Sequence, residues 1–230
     1  MATISDRILY EDNHLIVVNK LPSEIVQGDK TGDVCLLDDV KEYIKEKYDK
    51  PGNVFAGLVH RIDRPVSGAV VFAKTSKSLS RMTVTVKDRD FRKTYLALVK
   101  NCPPKQSDLL EDYLVKNEKQ NKSYVVPEGT KEAKLARLSY RLVGKSDNYY
   151  LLEVELFTGR HHQIRCQLAH IGCPIRGDLK YGYPRSNPDA SISLHAWRIA
   201  FEHPVTKAQI EITAPLPEAA PWTAFQQISD

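Results

Sequence analysis

A charge-dense loop stands immediately before an apolar run in the segment LVHRIDRPVSGAVVFAKT (58–75). His60, Arg61 and Arg64 surround a single carboxylate, Asp63. A purely structural interpretation is a solvated turn in which the aspartate side chain hydrogen-bonds to its own backbone. The functional interpretation is a reactive site, because the apolar run predicts a buried strand that would hold the loop in place.

A second basic loop, GRHHQIR (159–165), offers a partner for that carboxylate. If the predicted helix docks through Ile164 and Leu168, Arg165 leaves at its edge and can reach a loop residue. A guanidinium binds a carboxylate as a bidentate pair. Burial raises a carboxyl pKa by up to about 3–5 units and a nearby arginine lowers it by about 1–3. Such a pair would keep a buried Asp63 ionised and oriented, which a nucleophile requires.

Two aromatic features add a possible nucleic-acid component. Tyr95 is the single ring on the strand pattern KTYLALV (93–99). It is either a core tyrosine with its hydroxyl at the rim or a platform for a flat substrate, worth about 1–3 kcal/mol for a nucleobase. The segment PIRGDLKYGYP (174–184) interleaves Arg176 and Lys180 with tyrosines. That pattern suits RNA, and equally suits a structured surface loop.

The adjacent histidines His161 and His162 raise the question of a metal site. Neighbouring helical positions point about 100° apart and rarely bind one ion together. No HExxH motif and no clustered carboxylate accompanies them. We therefore expect no metal.

Composition sets limits on the class of protein. The chain has 230 residues, a net charge of +4 and a pI near 8.7, which permits an anionic partner without requiring one. Its four cysteines form no CxxC pair, and the N-terminal residues do not resemble a signal peptide. No apolar run approaches the roughly 18–20 residues of a membrane helix. We expect a soluble, cytoplasmic protein.

The predicted elements favour an α+β fold. Apolar residues at helical spacing predict a helix over 34–48, after a turn over 28–33. A second helix over 76–89 would be capped by Ser76 or Ser78. A third helix is predicted at 161–171, and a polar turn at 117–123 joins two further strands. The other strands are predicted at 8–19 (two, around a turn), 69–73, 93–99, 135–143, 149–157, 193–202 and 207–214. Because strands outnumber helices and are mostly hairpin-linked, we predict a mixed, mostly antiparallel central sheet flanked by helices and loops.

Four separated blocks resemble one enzyme family. HRIDRPVSG (60–68), KTYLALV (93–99), GRHHQIRCQLAHIGCPIRGDLKYG (159–182) and LHAWRIAFEHP (194–204) look, in order and spacing, like the RluA-type pseudouridine synthases. The resemblance spans roughly residues 8–215. It implies the fold of that family, with an active-site cleft along the sheet, and isomerisation of a uridine in folded rRNA or tRNA. Uracil is detached from C1′, turned and rejoined through C5, without cofactor or metal.

Carried over by position, the resemblance implies individual roles. Asp63 becomes the catalytic aspartate, Arg165 its ion-pair partner and Tyr95 the stacking residue that also helps remove the C5 proton. Arg61 would fill the gap left by the flipped uridine, and Leu168 would line the pocket. Unstacking a uridine costs a few kcal/mol, a cost that stacking and a cation can offset. The other candidate RNA contacts are His60, Arg64, Lys93, Arg160, Arg176 and Lys180.

The sequence also departs from the family pattern. Ile62 and Val66 stand where HRLDxxTSG has leucine and threonine, and Lys100-Asn101 follows the second block where glycine is common. Val66 loses a hydroxyl, which bears on target choice rather than on activity. We expect one catalytic domain over 1–230 with no N-terminal S4-like domain, acting as a monomer, so that this domain alone recognises RNA.

Two other functions are compatible with parts of the sequence. An RNA-binding module on the same fold would bind RNA without isomerising it. A hydrolase using Asp63 with His60 or His161 would release a base, but no second well-placed carboxylate and no nucleophilic serine or cysteine motif supports it. Attack on C1′, attack on C6 and proton removal to give a glycal are all compatible with the sequence, which also leaves the target uridine open.

Overall fold

The computed structural model describes residues 3–28 and 32–228, so the turn predicted over 28–33 lies partly outside the described residues. The backbone divides into two units. Unit 1 comprises Met1–Phe91 and Ala196–Pro215, and unit 2 comprises Arg92–His195 and Leu216–Asp230. Unit 1 is therefore built from two stretches of sequence separated by most of unit 2. The single-domain organisation expected from the sequence stays a prediction.

Unit 1 is a sheet with two helices, and its longer strands and both helices match the sequence prediction, whereas the short strand β3 and a 3-10 helix were not predicted. Its strands follow the order β1-β2-β4-β10, β11 pairs with β10, and β3 pairs with β4. The strands are β1 (Ile8–Glu11), β2 (Leu15–Lys20), β3 (Gly57–Leu58), β4 (Ser67–Ala73), β10 (Leu194–Glu202) and β11 (Gln209–Thr213). The helices are α1 (Leu36–Lys47) and α2 (Ser76–Lys87), with a short 3-10 helix at Ser5–Arg7.

The core of unit 1 explains why β4 reads as a continuous apolar run. Every residue of β4 is buried, as expected of a strand covered on both faces. At its start Gly68 has φ +114°, and an added Cβ would lie 2.3 Å from the Ala196 carbonyl oxygen. Only glycine fits this approach of backbone to backbone. Gly68 thus ends the charged loop by docking it tightly against β10.

The cap of α2 differs from the prediction by one residue. The Thr75 side chain accepts a hydrogen bond from the Ser78 N–H at 3.1 Å, so Thr75 is the N-cap. The predicted caps Ser76 and Ser78 are wrong, because helical geometry already begins at Ser76 and the cap is the residue before it.

Unit 2 is an antiparallel sheet with one main helix. Its strands follow the order β5-β9-β8-β6-β7. They are β5 (Arg92–Val99), β6 (Ser107–Asn117), β7 (Lys122–Val126), β8 (Lys134–Lys145) and β9 (Tyr150–Leu156). The predicted β8–β9 hairpin and the polar turn between β6 and β7 are confirmed. Shorter 3-10 helices occupy Leu179–Tyr181 and Trp222–Ile228.

Helix α3 (Gln163–His170) is shorter than predicted. His162 lies in the left-handed region at φ 51°, so the helix begins only at Gln163. All residues from Gln163 to Leu168 are buried, whereas a single apolar face was expected. Among the described residues no helix is both long and apolar enough to cross a bilayer.

Candidate active site

The loop that carries Asp63 is a tight turn with alternating exposure. The Val66 N–H donates to the Asp63 carbonyl oxygen at 3.0 Å. Arg61 and Arg64 are exposed, Asp63 is half-buried, and Val66 is buried. The loop therefore presents its two arginines to solvent and anchors itself through apolar side chains. The hydroxyl that family members carry at position 66 would here lie in the interior.

His60 joins this loop to β4. Its Nε2 accepts the Val71 N–H at 3.3 Å, and its ring packs 5.0 Å from the ring of Phe91. A ring nitrogen that accepts a backbone N–H must be unprotonated. In this arrangement His60 therefore fixes the entry to the loop as a neutral imidazole.

A buried lysine supports the loop from below. Lys20 is fully buried at the end of β2, and its Nζ donates to the carbonyl oxygens of Leu21 at 2.8 Å and Arg64 at 2.9 Å. Burial lowers the pKa of Lys20 to about 7, while the carboxylates of Glu24 and Asp63 act in the opposite direction. Lys20 thus fixes the backbone of Arg64, the residue after Asp63. Its amine is also close enough to the Asp63 carboxylate for the two charges to interact.

The segment after Lys20 is fixed in turn. The Ser23 N–H donates to the same Arg64 carbonyl at 2.9 Å, and the Arg64 Nε donates to the Ser23 carbonyl at 3.0 Å. Glu24 accepts the Leu21 N–H and forms a close ion pair with Arg7 at 2.8 Å. The sequence did not predict these hydrogen bonds around Lys20, because a lysine that ends an apolar strand is usually solvated.

In unit 2, Arg165 is held by the carboxylate of Asp178, which lies in the 174–184 segment that the sequence presents as an RNA-binding or a surface loop. Its Nε donates to Asp178 Oδ2 at 2.7 Å and its Nη2 donates to Asp178 Oδ1 at 2.8 Å. Both side chains are almost fully buried, at 6% and 1% exposure. Arg165 was expected at the helix edge within reach of a loop residue. It does reach one, as a bidentate pair inside the protein.

Tyr95 and Leu168 both lie in the interior of unit 2. Tyr95 is 6% exposed on β5, opposite Val154 of β9. Leu168 on α3 is fully buried. Their roles as stacking platform and pocket wall stay predictions, as do the roles of the other candidates.

The two histidines do not behave as helical neighbours. Because His162 is left-handed, its ring stacks on that of His161 at 3.7 Å instead of pointing about 100° away, which corrects the expectation. His161 bonds Ser123 and Asn121 through its two ring nitrogens. Burial lowers the pKa of His162 to about 2, so its imidazole is neutral at physiological pH. In residues 3–28 and 32–228, no group of three potential ligands is placed to hold a metal ion.

The basic candidates of unit 2 fall into two sets. Lys93 lies beside Gly159, where an added Cβ would be 3.7 Å from its Nζ, and burial lowers the pKa of Lys93. Arg160 donates from Nε to the Leu135 carbonyl and borders an open cleft of about 420 Å³. Lys116 and Lys134 also line the cleft, together with two glutamates. Arg160 therefore lines a cleft in which three cationic side chains face two glutamates, and Lys93 lies next to Gly159 at its edge.

The second set is engaged with neighbouring groups. Arg176 donates from Nε to the Tyr149 hydroxyl and from Nη1 to Ser193 Oγ, both at 3.3 Å. Lys180 donates to the Asn121 carbonyl at 3.0 Å in the β6–β7 turn. The candidate site residues thus form two groups, one on the 58–67 loop of unit 1 and one around α3 in unit 2. The Asp63–Arg165 pairing joins residues of different units and stays a prediction.

Comparison with known proteins decides the family. A family model described as RNA pseudouridylate synthase matches residues 14–170. The ribosomal large subunit pseudouridine synthase C of Buchnera aphidicola subsp. Acyrthosiphon pisum is 35% identical over 224 residues, covering 94% of this chain and 68% of that protein. This chain belongs to the RNA pseudouridylate synthase family. The ribosomal large subunit pseudouridine synthase D of Zymomonas mobilis is 31% identical over 222 residues, covering 92% and 69%.

A solved structure confirms the fold. The human RNA pseudouridylate synthase domain containing 4 superposes with a TM-score of 0.80 at 21% identity, covering 98% of this chain and 92% of that one. The predicted family, the fold class and the enzyme class, an RluA-type isomerase acting on RNA, are therefore confirmed. The alternative of a hydrolase is not supported by this family membership.

Proposed function

We propose that this chain converts specific uridines of ribosomal or transfer RNA into pseudouridine with Asp63 as the nucleophile. The N1–C1′ bond breaks and a C5–C1′ bond forms. The proton on C5 is lost and N1 gains a proton, so the composition of the RNA is unchanged. The names of the relatives make large-subunit ribosomal RNA the first substrate to test.

The observation that carries this proposal is the support beneath Asp63. Its loop lies within the family match, and a fully buried lysine, Lys20, binds the next carbonyl along the chain. A nucleophilic carboxylate has to stay ionised and keep its direction as water is excluded. Lys20 serves both needs, because its amine fixes the Arg64 carbonyl beneath a tight turn that ends at the tightly packed Gly68, and its protonated form favours the ionised Asp63 carboxylate.

The remaining roles concern the RNA. Arg61 is exposed on the same loop, as a side chain that occupies the gap left by the uridine must be. Tyr95 supplies the ring for stacking, worth about 1–3 kcal/mol against an unstacking cost of a few kcal/mol. Leu168, fully buried on α3, is the candidate for the apolar wall of the pocket. His60 and Arg64 complete the loop as its anchor and as an exposed cation.

Phosphate contacts are distributed unevenly among the basic candidates. We rank Arg160 first because it lines the cleft. Lys93 ranks with it because it lies beside Gly159 of the same cleft, and a lysine whose pKa is lowered by burial gains from an anionic partner. Arg176 and Lys180 rank second because neither lines the cleft and each donates hydrogen bonds to neighbouring protein groups. Monomeric state, cytoplasmic location and recognition by this domain alone stay predictions.

Chemical mapping of pseudouridine tests the proposal. Ribosomal and transfer RNA from cells lacking the gene would be treated with carbodiimide, with and without re-expression of wild type, Asp63→Asn or the control Asp88→Asn, an exposed aspartate at the end of α2. One or a few sites should disappear on deletion and return with wild type and the control, but not with Asp63→Asn.

Two results would contradict the proposal. Full restoration by Asp63→Asn would remove the nucleophile assignment. No change at any ribosomal or transfer RNA site, with RNA binding intact, would favour the non-catalytic RNA-binding module. Purified Asp63→Asn should still bind RNA, which separates loss of chemistry from loss of the fold.

A further inference from the structure

The guanidinium of Arg165 is bound on one edge by Asp178. Pairing through Nε and Nη2 uses the side of the fork, with both distances below 2.9 Å. This side-on geometry fixes the plane of the group and the direction of its other N–H groups. It also balances the charge of Arg165 inside the protein, where an uncompensated cation would be costly.

The same guanidinium lies over the ring of Tyr181. The Arg165 Cζ lies 5.1 Å from the centre of the tyrosine ring, within the range of a cation–π contact. The Tyr181 hydroxyl accepts the Ser123 N–H at 2.8 Å and lies 3.1 Å from His162 Nδ1. The ring is thus fixed at its far end and cannot tilt away from the guanidinium.

The segment that carries both residues is held by its backbone. Gly177 has φ +86°, and an added Cβ would lie 2.7 Å from the Ser191 carbonyl oxygen. Asp178 itself donates its N–H to the Ile175 carbonyl and accepts the Tyr181 N–H through its own carbonyl. The sharp turn therefore presents a carboxylate and, one turn later, a ring to the same arginine.

We propose that Asp178 and Tyr181 are positioning residues for the uridine reaction, acting through Arg165. Asp178 sets the plane of the guanidinium and balances its charge. Tyr181 packs against the guanidinium and limits its movement towards the ring. The inference rests on the proposed function, in which Arg165 serves the catalytic aspartate. Neither residue has to touch the RNA.

The test uses the isosteric change Asp178→Asn, which keeps one acceptor but places an amide N–H against a guanidinium N–H. Turnover would be followed as tritium released from large-subunit ribosomal RNA transcribed with uridine tritiated at C5. We expect kcat to fall about tenfold to a hundredfold with KM within about threefold of wild type, because misplacing a group by about 1 Å has effects of that size. The control Asp147→Asn changes the same charge in the exposed β8–β9 turn and should match wild type.

A pair of Tyr181 variants separates positioning from stability. Tyr181→Phe keeps the ring but loses the hydroxyl bonds, so it should unfold more easily while keeping kcat within about threefold. Tyr181→Leu removes the ring and should lower kcat about tenfold or more. This pair decides the question even if Asp178→Asn does not fold.

A spectroscopic readout is independent of activity. The Nε–H resonance of Arg165, assigned with Arg165→Lys, should be protected from exchange in wild type and lose that protection in Asp178→Asn. Unchanged kcat in Asp178→Asn, a loss expressed only in KM, or equal losses of kcat in the two Tyr181 variants would each overturn the inference. A wild type that releases no tritium from any ribosomal or transfer RNA would instead overturn the proposed function, and the resonance would still report whether Asp178 orients Arg165.

Discussion

Replacement of the buried Lys20 by methionine should change how stability depends on pH. Burial lowers the pKa of Lys20 from 10.5 to about 7 in the folded protein. In the unfolded chain the lysine is solvated and keeps its ordinary pKa. Between about pH 7 and 10.5 the unfolded state therefore holds one more proton than the folded state, so a rise in pH favours folding.

The two pKa values set the size of the effect. Each pH unit well inside this window adds about 1.4 kcal/mol to the free energy of unfolding of the wild type. Integrated from about pH 6 to about pH 9, the gain attributable to Lys20 is about 2.5 kcal/mol. Methionine fills a similar volume without titrating, so Lys20→Met should lack this gain. The free energy of unfolding of the wild type minus that of Lys20→Met should therefore rise by about 2.5 kcal/mol between pH 6 and pH 9.

Urea unfolding at a series of pH values, followed by tryptophan fluorescence, measures the difference directly. Lys20→Gln should lose the same pH dependence while keeping an N–H donor for one of the two carbonyls. The control Lys45→Met, an exposed lysine on α1, should run parallel to wild type. If the free energies of unfolding of wild type and Lys20→Met changed in parallel between pH 6 and pH 9, the assignment of a pKa near 7 to the lysine beneath the Asp63 loop would be refuted.

Three further predictions follow from local geometry. Gly68→Ala should lower the free energy of unfolding by about 2–5 kcal/mol, measured by urea denaturation, because its Cβ would strike the Ala196 carbonyl at a strained φ. Glu11 accepts bonds from two lysines and two tyrosines that hold its pKa at about 2 rather than 4.5, although burial acts in the opposite direction. Its contribution of about 3 kcal/mol should be present above pH 4.5 and lost towards pH 2, so Glu11→Gln should approach wild type in acid; a constant gap would contradict this. Arg160→Gln should reduce the salt dependence of RNA binding by about one phosphate contact, whereas an unchanged slope would remove Arg160 from the interface.

The elements were predictable where the pattern is local. The apolar run of β4 and the β8–β9 hairpin depend on neighbouring residues, so sequence alone located them. The left-handed φ of His162 left no trace in residue type, and the predicted helix therefore began too early. The reaction class came from four motif blocks in order, a resemblance no single block would have carried.

The supporting residues of the site were beyond sequence reasoning because their partners are distant. Lys20 meets the Arg64 carbonyl 44 positions along the chain, and nothing in LIVVNK distinguishes a buried lysine from a solvated one. Asp178 meets Arg165 13 positions away across a helix end and a turn. A turn rich in glycine and charged residues, such as 174–184, is predicted to lie at the surface, and only the three-dimensional structure shows that Asp178 is buried.

The interrupted path of the chain through unit 1 has a consequence for biosynthesis. Phe91 leaves the unit and Ala196 re-enters it, yet Phe201 and Ile212 belong to the same apolar core as Leu15 and Val71. At about 5–20 residues per second, a ribosome needs several seconds to make the intervening stretch. Throughout that interval the nascent β2 and β4 expose an unfinished core, which makes this half of the enzyme a natural client of a ribosome-bound chaperone.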